Sequence, residues 1–97
     1  MKVLWKRRAL RDLDEIHAYI LQRSKQGAES VVRRIESTVE LIGDYPGYGR
    51  KLKTRANFRV LPVGKYPYRV YYAVEADAVV IVHVRHTSRR SPVVRDL

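Results

Sequence analysis

The sequence predicts an α+β domain with the order β-α-α-β-β-β, a helical hairpin packed on one face of a small, mostly antiparallel sheet. Three observations carry this expectation. Residues 68–74 are β-branched or aromatic except at Arg69 and Ala73, and residues 79–84 are almost unbroken apolar chain. Glu75-Ala76-Asp77 joins them as a short polar turn, so the pair reads as an antiparallel hairpin. Upstream, two stretches place apolar residues at helical spacing instead of alternating them.

Taken in order, Lys2–Trp5 is a short strand that must join the later sheet. Ala9, Leu13, Ile16 and Ile20 then form a helical stripe flanked by Leu10 and Tyr19. Arg11, Asp12, Asp14 and Glu15 are assigned to the outer, solvated side. Lys6-Arg7-Arg8 opens this helix with cations that oppose its dipole, so they either face water or serve a partner. Residues 24–27 break the helix. A second runs over 28–43 with the stripe Val31, Ile35, Val39 and Ile42; Gly43 caps it and Pro46 prevents continuation. Residues 44–57 read as a turn-rich loop carrying Arg50, Lys51, Lys53 and Arg55. Residues 58–63 form a strand ahead of Gly64 and feed the hairpin. The second hairpin run, apolar on both faces, is expected to be central in the sheet.

Alternation divides the sheet. Tyr68, Val70, Tyr72 and Val74 share one face, suited to a core. Arg69, Tyr71, Ala73 and Glu75 share the other, and Arg59 alternates with Phe58 and Val60. The expectation is a second face that offers cations and a tyrosine to a partner.

Composition sets the outer bounds. At 97 residues the chain is read as one domain, 1–97, with an ordinary 45% hydrophobic content. It has no cysteine, which rules out disulfides and thiolate metal sites and fits a cytoplasmic location. His17, His83 and His86 are scattered without a close acidic partner, so neither a metal nor a cofactor is expected. No run approaches the ~20 apolar residues of a membrane span, and no leader pattern opens the chain. The net charge is +10, and between Arg50 and Arg69 there are seven basic residues and no acidic one. Such a patch favours an acidic partner or a nucleic acid.

Several segments together carry a family resemblance. They are A-x-x-D-L-x-x-I-x-x-Y-I (Ala9, Asp12, Leu13, Ile16, Tyr19, Ile20), the Pro-Gly loop, Arg59-Val60-Leu61-Pro62-Val63-Gly64, Tyr68-Arg69-Val70-Tyr71-Tyr72, and Val84-Arg85-His86 followed by Arg89-Arg90. In this order and length the chain resembles the RelE/ParE superfamily of bacterial toxins from toxin–antitoxin pairs. The resemblance implies a compact toxin neutralised by an antitoxin lying across it. RelE-like members cut messenger RNA on the ribosome, whereas ParE-like members block DNA gyrase. The segments 61–64 and 84–86 look more like the ParE side, which implies inhibition of replication. Two alternatives stand beside it: a ribosome-dependent endoribonuclease, and a non-toxic basic nucleic-acid-binding module.

Cleavage through a 2′-hydroxyl needs a base, cations for the phosphorane and an acid for the leaving oxygen. By resemblance to RelE-like nucleases, Arg69 matches their central-strand arginine, Arg59 lies near a lysine position, and Arg89 matches a C-terminal arginine. Leu61 stands at a second lysine position, and Arg95 falls near the place of their C-terminal tyrosine. A nuclease would therefore rest on Arg59, Arg69, Arg89 and His86 as an unconventional base. His86 otherwise reads as a strand-end histidine bonded to a carbonyl, and His83 as packed within its strand. Tyr71 would stack on a base or on the antitoxin. Arg69 has a structural alternative, pairing with Glu75 or Asp77. The residues expected to hold the target or an acidic antitoxin are Lys51, Lys53, Arg59, Arg69, Tyr71, Arg85, His86, Arg89 and Arg90.

Overall fold

The structure, a computed structural model, describes residues 1–55 and 57–88. Strand β1 (Lys2–Trp5) leads into helix α1 (Arg7–Leu21), then helix α2 (Lys25–Asp44). A 3-10 turn (Pro46–Tyr48) follows, then strands β2 (Arg50–Lys51), β3 (Phe58–Pro62), β4 (Tyr68–Val74) and β5 (Ala78–His86). The five strands lie in the order β1-β5-β4-β3-β2. Only β1 runs parallel to its neighbour, β5; the other pairs are antiparallel.

The helical stripes pack where their spacing directs them. Ala9 of α1 and Val31, Ile35, Val39 and Ile42 of α2 are buried against Val70, Tyr72, Val79 and Ile81 of the sheet and Val63 just after β3. Leu13, Ile16 and Ile20 pack against this core half-buried.

Residues 24–27 do not all separate the helices. Ser24 is the N-cap of α2, its hydroxyl accepting from the Gly27 N–H at 2.9 Å, so α2 begins at Lys25. Gly43 is no cap either, because α2 continues to Asp44. A Cβ on Gly43 would stand 2.8 Å from Val3 Cγ2, so the bare glycine lets α2 close on β1. Its carbonyl accepts from the N-terminal ammonium at 2.8 Å.

The loop expected over 44–57 contains the 3-10 turn and the edge strand β2. Tyr72 organises that loop from within the core. Its hydroxyl donates to Pro46 O at 2.7 Å and accepts from the Gly49 N–H at 2.8 Å. Gly49 is required there, since an added Cβ would lie 2.6 Å from that hydroxyl.

The face away from the helices is not an open platform. Val60, Tyr71 and Val82 form a second buried cluster, packed by Leu52 and Val80. Strict alternation fails at one point. Tyr71 pairs with His83 but Tyr72 pairs with Ile81, leaving Val82 as the extra residue of a β-bulge. Ile81 and Val84 thus both reach the helix-side core although they stand three apart.

Candidate functional site

The bulge and the end of β1 together create a cleft. The β1 register stops at Trp5 opposite Ile81, and the Lys6 N–H donates to Ile81 O at 2.9 Å before the chain turns into α1. Beyond that point β5 has lost its neighbour. Asp12, one turn and a half into α1, takes over the exposed edge: its Oδ2 accepts the Val84 N–H at 2.9 Å and bonds His83 Nδ1. Its Oδ1 accepts from Arg8 Nε at 3.3 Å. Helical spacing alone puts Asp12 on the solvated side of α1, yet it is 6% exposed. It stands three residues after Ala9 and four before Ile16, on the margin of the buried stripe, where a short carboxylate reaches a strand edge that lacks hydrogen-bond partners. Burial alone would raise its pKa. The bonds from His83 and Val84, with the charge of Arg8, outweigh burial and hold the carboxyl below its ordinary value.

The cleft has a volume of about 780 Å³, and Arg8, Glu15, Tyr19, Tyr68, Arg85 and His86 line it beside the Asp12–His83 pair. His83 is buried, as its apolar strand predicts, but as a hydrogen-bonded group between two charged ones. With Nδ1–H donated to Asp12, its Nε2 is an acceptor, and Arg85 Nη1 lies 3.5 Å away. Among the described residues His86 bonds Ser88 and no carbonyl. Its Nδ1 accepts from the Ser88 N–H at 3.0 Å and lies 2.7 Å from Ser88 Oγ, and its ring meets Tyr68 edge-on at 5.3 Å. Burial and the neighbouring Tyr19 push the Tyr68 hydroxyl up, so it stays protonated.

The cations divide between the two sheet faces. Arg59 pairs across strands with Tyr72, on the helix side, while Arg69 pairs with Pro62 and Arg85 on the opposite face. The expected grouping of Arg59 with Arg69 is therefore not formed. Arg59 acts locally instead. Its Nη1 donates to Gly47 O at 3.1 Å and Gly49 O at 2.7 Å, fastening the loop that Tyr72 also holds.

Tyr71, expected to stack on a partner, is 3% exposed in the second core and cannot offer its ring. Among the described residues Arg69 makes no ion pair with Glu75 or Asp77; it borders a small hollow with Tyr48 and Arg50. Lys51 and Lys53 are exposed. Arg89 and Arg90 lie outside the described residues. Among the described residues no three His, Cys, Asp or Glu side chains are placed to hold a metal ion, and no helix is long and apolar enough to cross a membrane.

A two-helix layer over a five-stranded mixed sheet is the α+β fold expected of the RelE/ParE superfamily of toxins. The family model described as the ParE toxin of the type II toxin–antitoxin system parDE matches residues 3–91, and the chain belongs to that family. Among its relatives, Y4kP of Sinorhizobium fredii (strain NBRC 101917 / NGR234) is 37% identical over 91 residues, covering 94% of this chain and 93% of the relative. Toxin RelE2 of Caulobacter vibrioides is 39% identical over 88 residues, covering 91% of this chain and 97% of the relative. The fold also matches a solved structure of the chromosomal ParDE system from P. aeruginosa, with a TM-score of 0.75 at 24% identity, covering 89% of this chain and 95% of that one. The protein is thus the toxin of a type II toxin–antitoxin pair, with an antitoxin as its partner.

Proposed function

We propose that this toxin acts by binding, without breaking a bond, and that its target is DNA gyrase, so that it arrests replication in the cytoplasm until an acidic antitoxin covers it. The observation that carries this reading is the match to the ParE family model over residues 3–91. The site geometry supports it. Of the cations a nuclease would use, Arg59 is committed to the 46–49 loop and sits on the opposite face from Arg69. The cations of an RNA-cleaving site are thereby divided between the two faces of the sheet.

The second reading, translation arrest by messenger RNA cleavage, is favoured by one observation, the 39% identity to a protein named RelE2. Pulse labelling after induced expression in bacteria separates the two. DNA synthesis that stops first while protein synthesis continues supports gyrase. Protein synthesis that stops first refutes it in favour of RNA cleavage.

A further inference from the structure

Arg69 and Arg85 stand directly opposite each other on β4 and β5, on the face away from the helices. Like charges in that position weaken a sheet. Neither forms an ion pair among the described residues, where the two ion pairs are Arg8–Asp12 and His83–Asp12. Arg85 is nevertheless restrained. Asp12 receives His83 Nδ1–H, which leaves Nε2 as an acceptor facing Arg85 Nη1 at 3.5 Å. A buried chain of carboxylate, imidazole and guanidinium thus runs from α1 around the edge of β5 to a half-buried cation.

We propose that Arg69 and Arg85 form an oxyanion clamp for a side-chain carboxylate of a protein partner, and that Asp12 and His83 are positioning residues that preset Arg85. This rests on the reading that the toxin acts through protein contacts. An incoming carboxylate relieves the Arg69–Arg85 repulsion, and paired guanidiniums suit its two oxygens. Restraint of Arg85 before binding lowers the entropy lost when the ligand arrives. The surroundings favour a protein over a nucleic-acid backbone. At the Arg85 end, Asp12 and Glu15 share the cleft with Arg8 and Arg85, so a chain of phosphates would meet anions there, while Arg69 borders a separate hollow beside Tyr48 and Pro62. Ile16, Tyr19 and Tyr68 beside Arg85, and Tyr48, Leu61 and Pro62 beside Arg69, add the apolar and aromatic area that protein interfaces use.

The test uses the full chain, labelled with nitrogen-15, and follows the Nε–Hε signals of Arg69 and Arg85. One titrant is a glutamate-rich peptide; the other is a single-stranded RNA oligonucleotide of equal charge. The variants are Arg85→Ala, His83→Asn and the two combined, with the backbone spectrum as the check on folding. Asparagine keeps a donor where Nδ1 stands, preserving the bond to Asp12, but removes Nε2. The peptide is expected to move both arginine signals together to saturation. Arg85→Ala should weaken its binding about tenfold or more, and His83→Asn about threefold to tenfold. The double variant should match Arg85→Ala alone, because His83 acts through Arg85.

Four results overturn the proposal: unmoved arginine signals, a His83→Asn variant that binds like wild type, a further loss when His83→Asn is added to Arg85→Ala, or the oligonucleotide binding more tightly than the peptide at the two arginines. A toxin that leaves gyrase supercoiling untouched still gives the peptide result if the clamp is correct, so failure of the clamp and failure of the gyrase reading are distinguished.

Discussion

Removing the Asp12 carboxylate should be among the most damaging single changes in this fold. The side chain is 7% exposed and serves three donors: the Val84 N–H at 2.9 Å, His83 Nδ1 and Arg8 Nε at 3.3 Å. Arg8 is 57% exposed, so its share is small, about 0.3–0.5 kcal/mol for a surface i,i+4 pair. The other two donors are buried. Leaving each without an acceptor costs about 1–3 kcal/mol. Asp12→Ala is therefore expected to lose about 3–5 kcal/mol, as for other buried pairs broken on one side. A domain of this size has a total stability of about 5–15 kcal/mol. Asp12→Asn keeps one acceptor oxygen and should lose less.

The carboxyl is held below its ordinary pKa in the folded state, so it stabilises the fold above the unfolded value of about 3.9. That stabilisation is lost as pH falls through the lower folded pKa. The gap between wild type and Asp12→Asn should accordingly narrow as pH drops below about 4. Urea unfolding followed by circular dichroism, at pH 7 and at a series of acid pH values, measures both effects. An Asp12→Ala protein within about 0.5 kcal/mol of wild type, or a gap that widens on acidification, would refute the reasoning.

Three further outcomes concern the loop after α2. Tyr72→Phe removes the bonds to Pro46 O and from the Gly49 N–H and should lose about 1–3 kcal/mol in the same unfolding assay, with faster amide exchange at Gly49. Gly49→Ala should destabilise because its Cβ would lie 2.6 Å from Tyr72 Oη and 2.9 Å from Val60 O, whereas Gly47→Ala, with nothing within 4 Å, should leave stability nearly unchanged. Arg59→Ala should lower stability by about 1–2 kcal/mol and loosen Gly47 and Gly49 in hydrogen exchange; unchanged exchange there would contradict its fastening role.

The fold is legible wherever period and packing agree. The α1 and α2 stripes, the 68–74 and 79–84 hairpin and the β1 strand all follow from side-chain spacing. The edge strand β2 is not, because Arg50-Lys51 has no strand-like composition and forms only where β3 offers a free edge. The second face departs from expectation for a physical reason. Alternation assigns side chains to faces but does not say what covers a face, and Leu52 and Val82 close over Tyr71. The bulge at Val82 also breaks the period on which face assignment depends. Arg59 falls on the face opposite Arg69 because its register with Tyr72 is set by pairing, which the strand sequence does not encode by itself.

Asp12 is the site residue that spacing hides most completely. Its partners, His83 and Val84, lie 71 and 72 residues away, and the missing strand neighbour that creates the need for it arises only when β1 ends. The A-x-x-D-L segment does hold a signal, since the acid borders the buried stripe.

Inhibition of gyrase by binding is tested most directly with the purified toxin and purified gyrase in a DNA supercoiling assay. Loss of supercoiling in proportion to added toxin, with ribosome-bound messenger RNA left intact by the same preparation, is the predicted result. Full supercoiling activity alongside cleavage of that messenger RNA would contradict it and make this chain a ribonuclease.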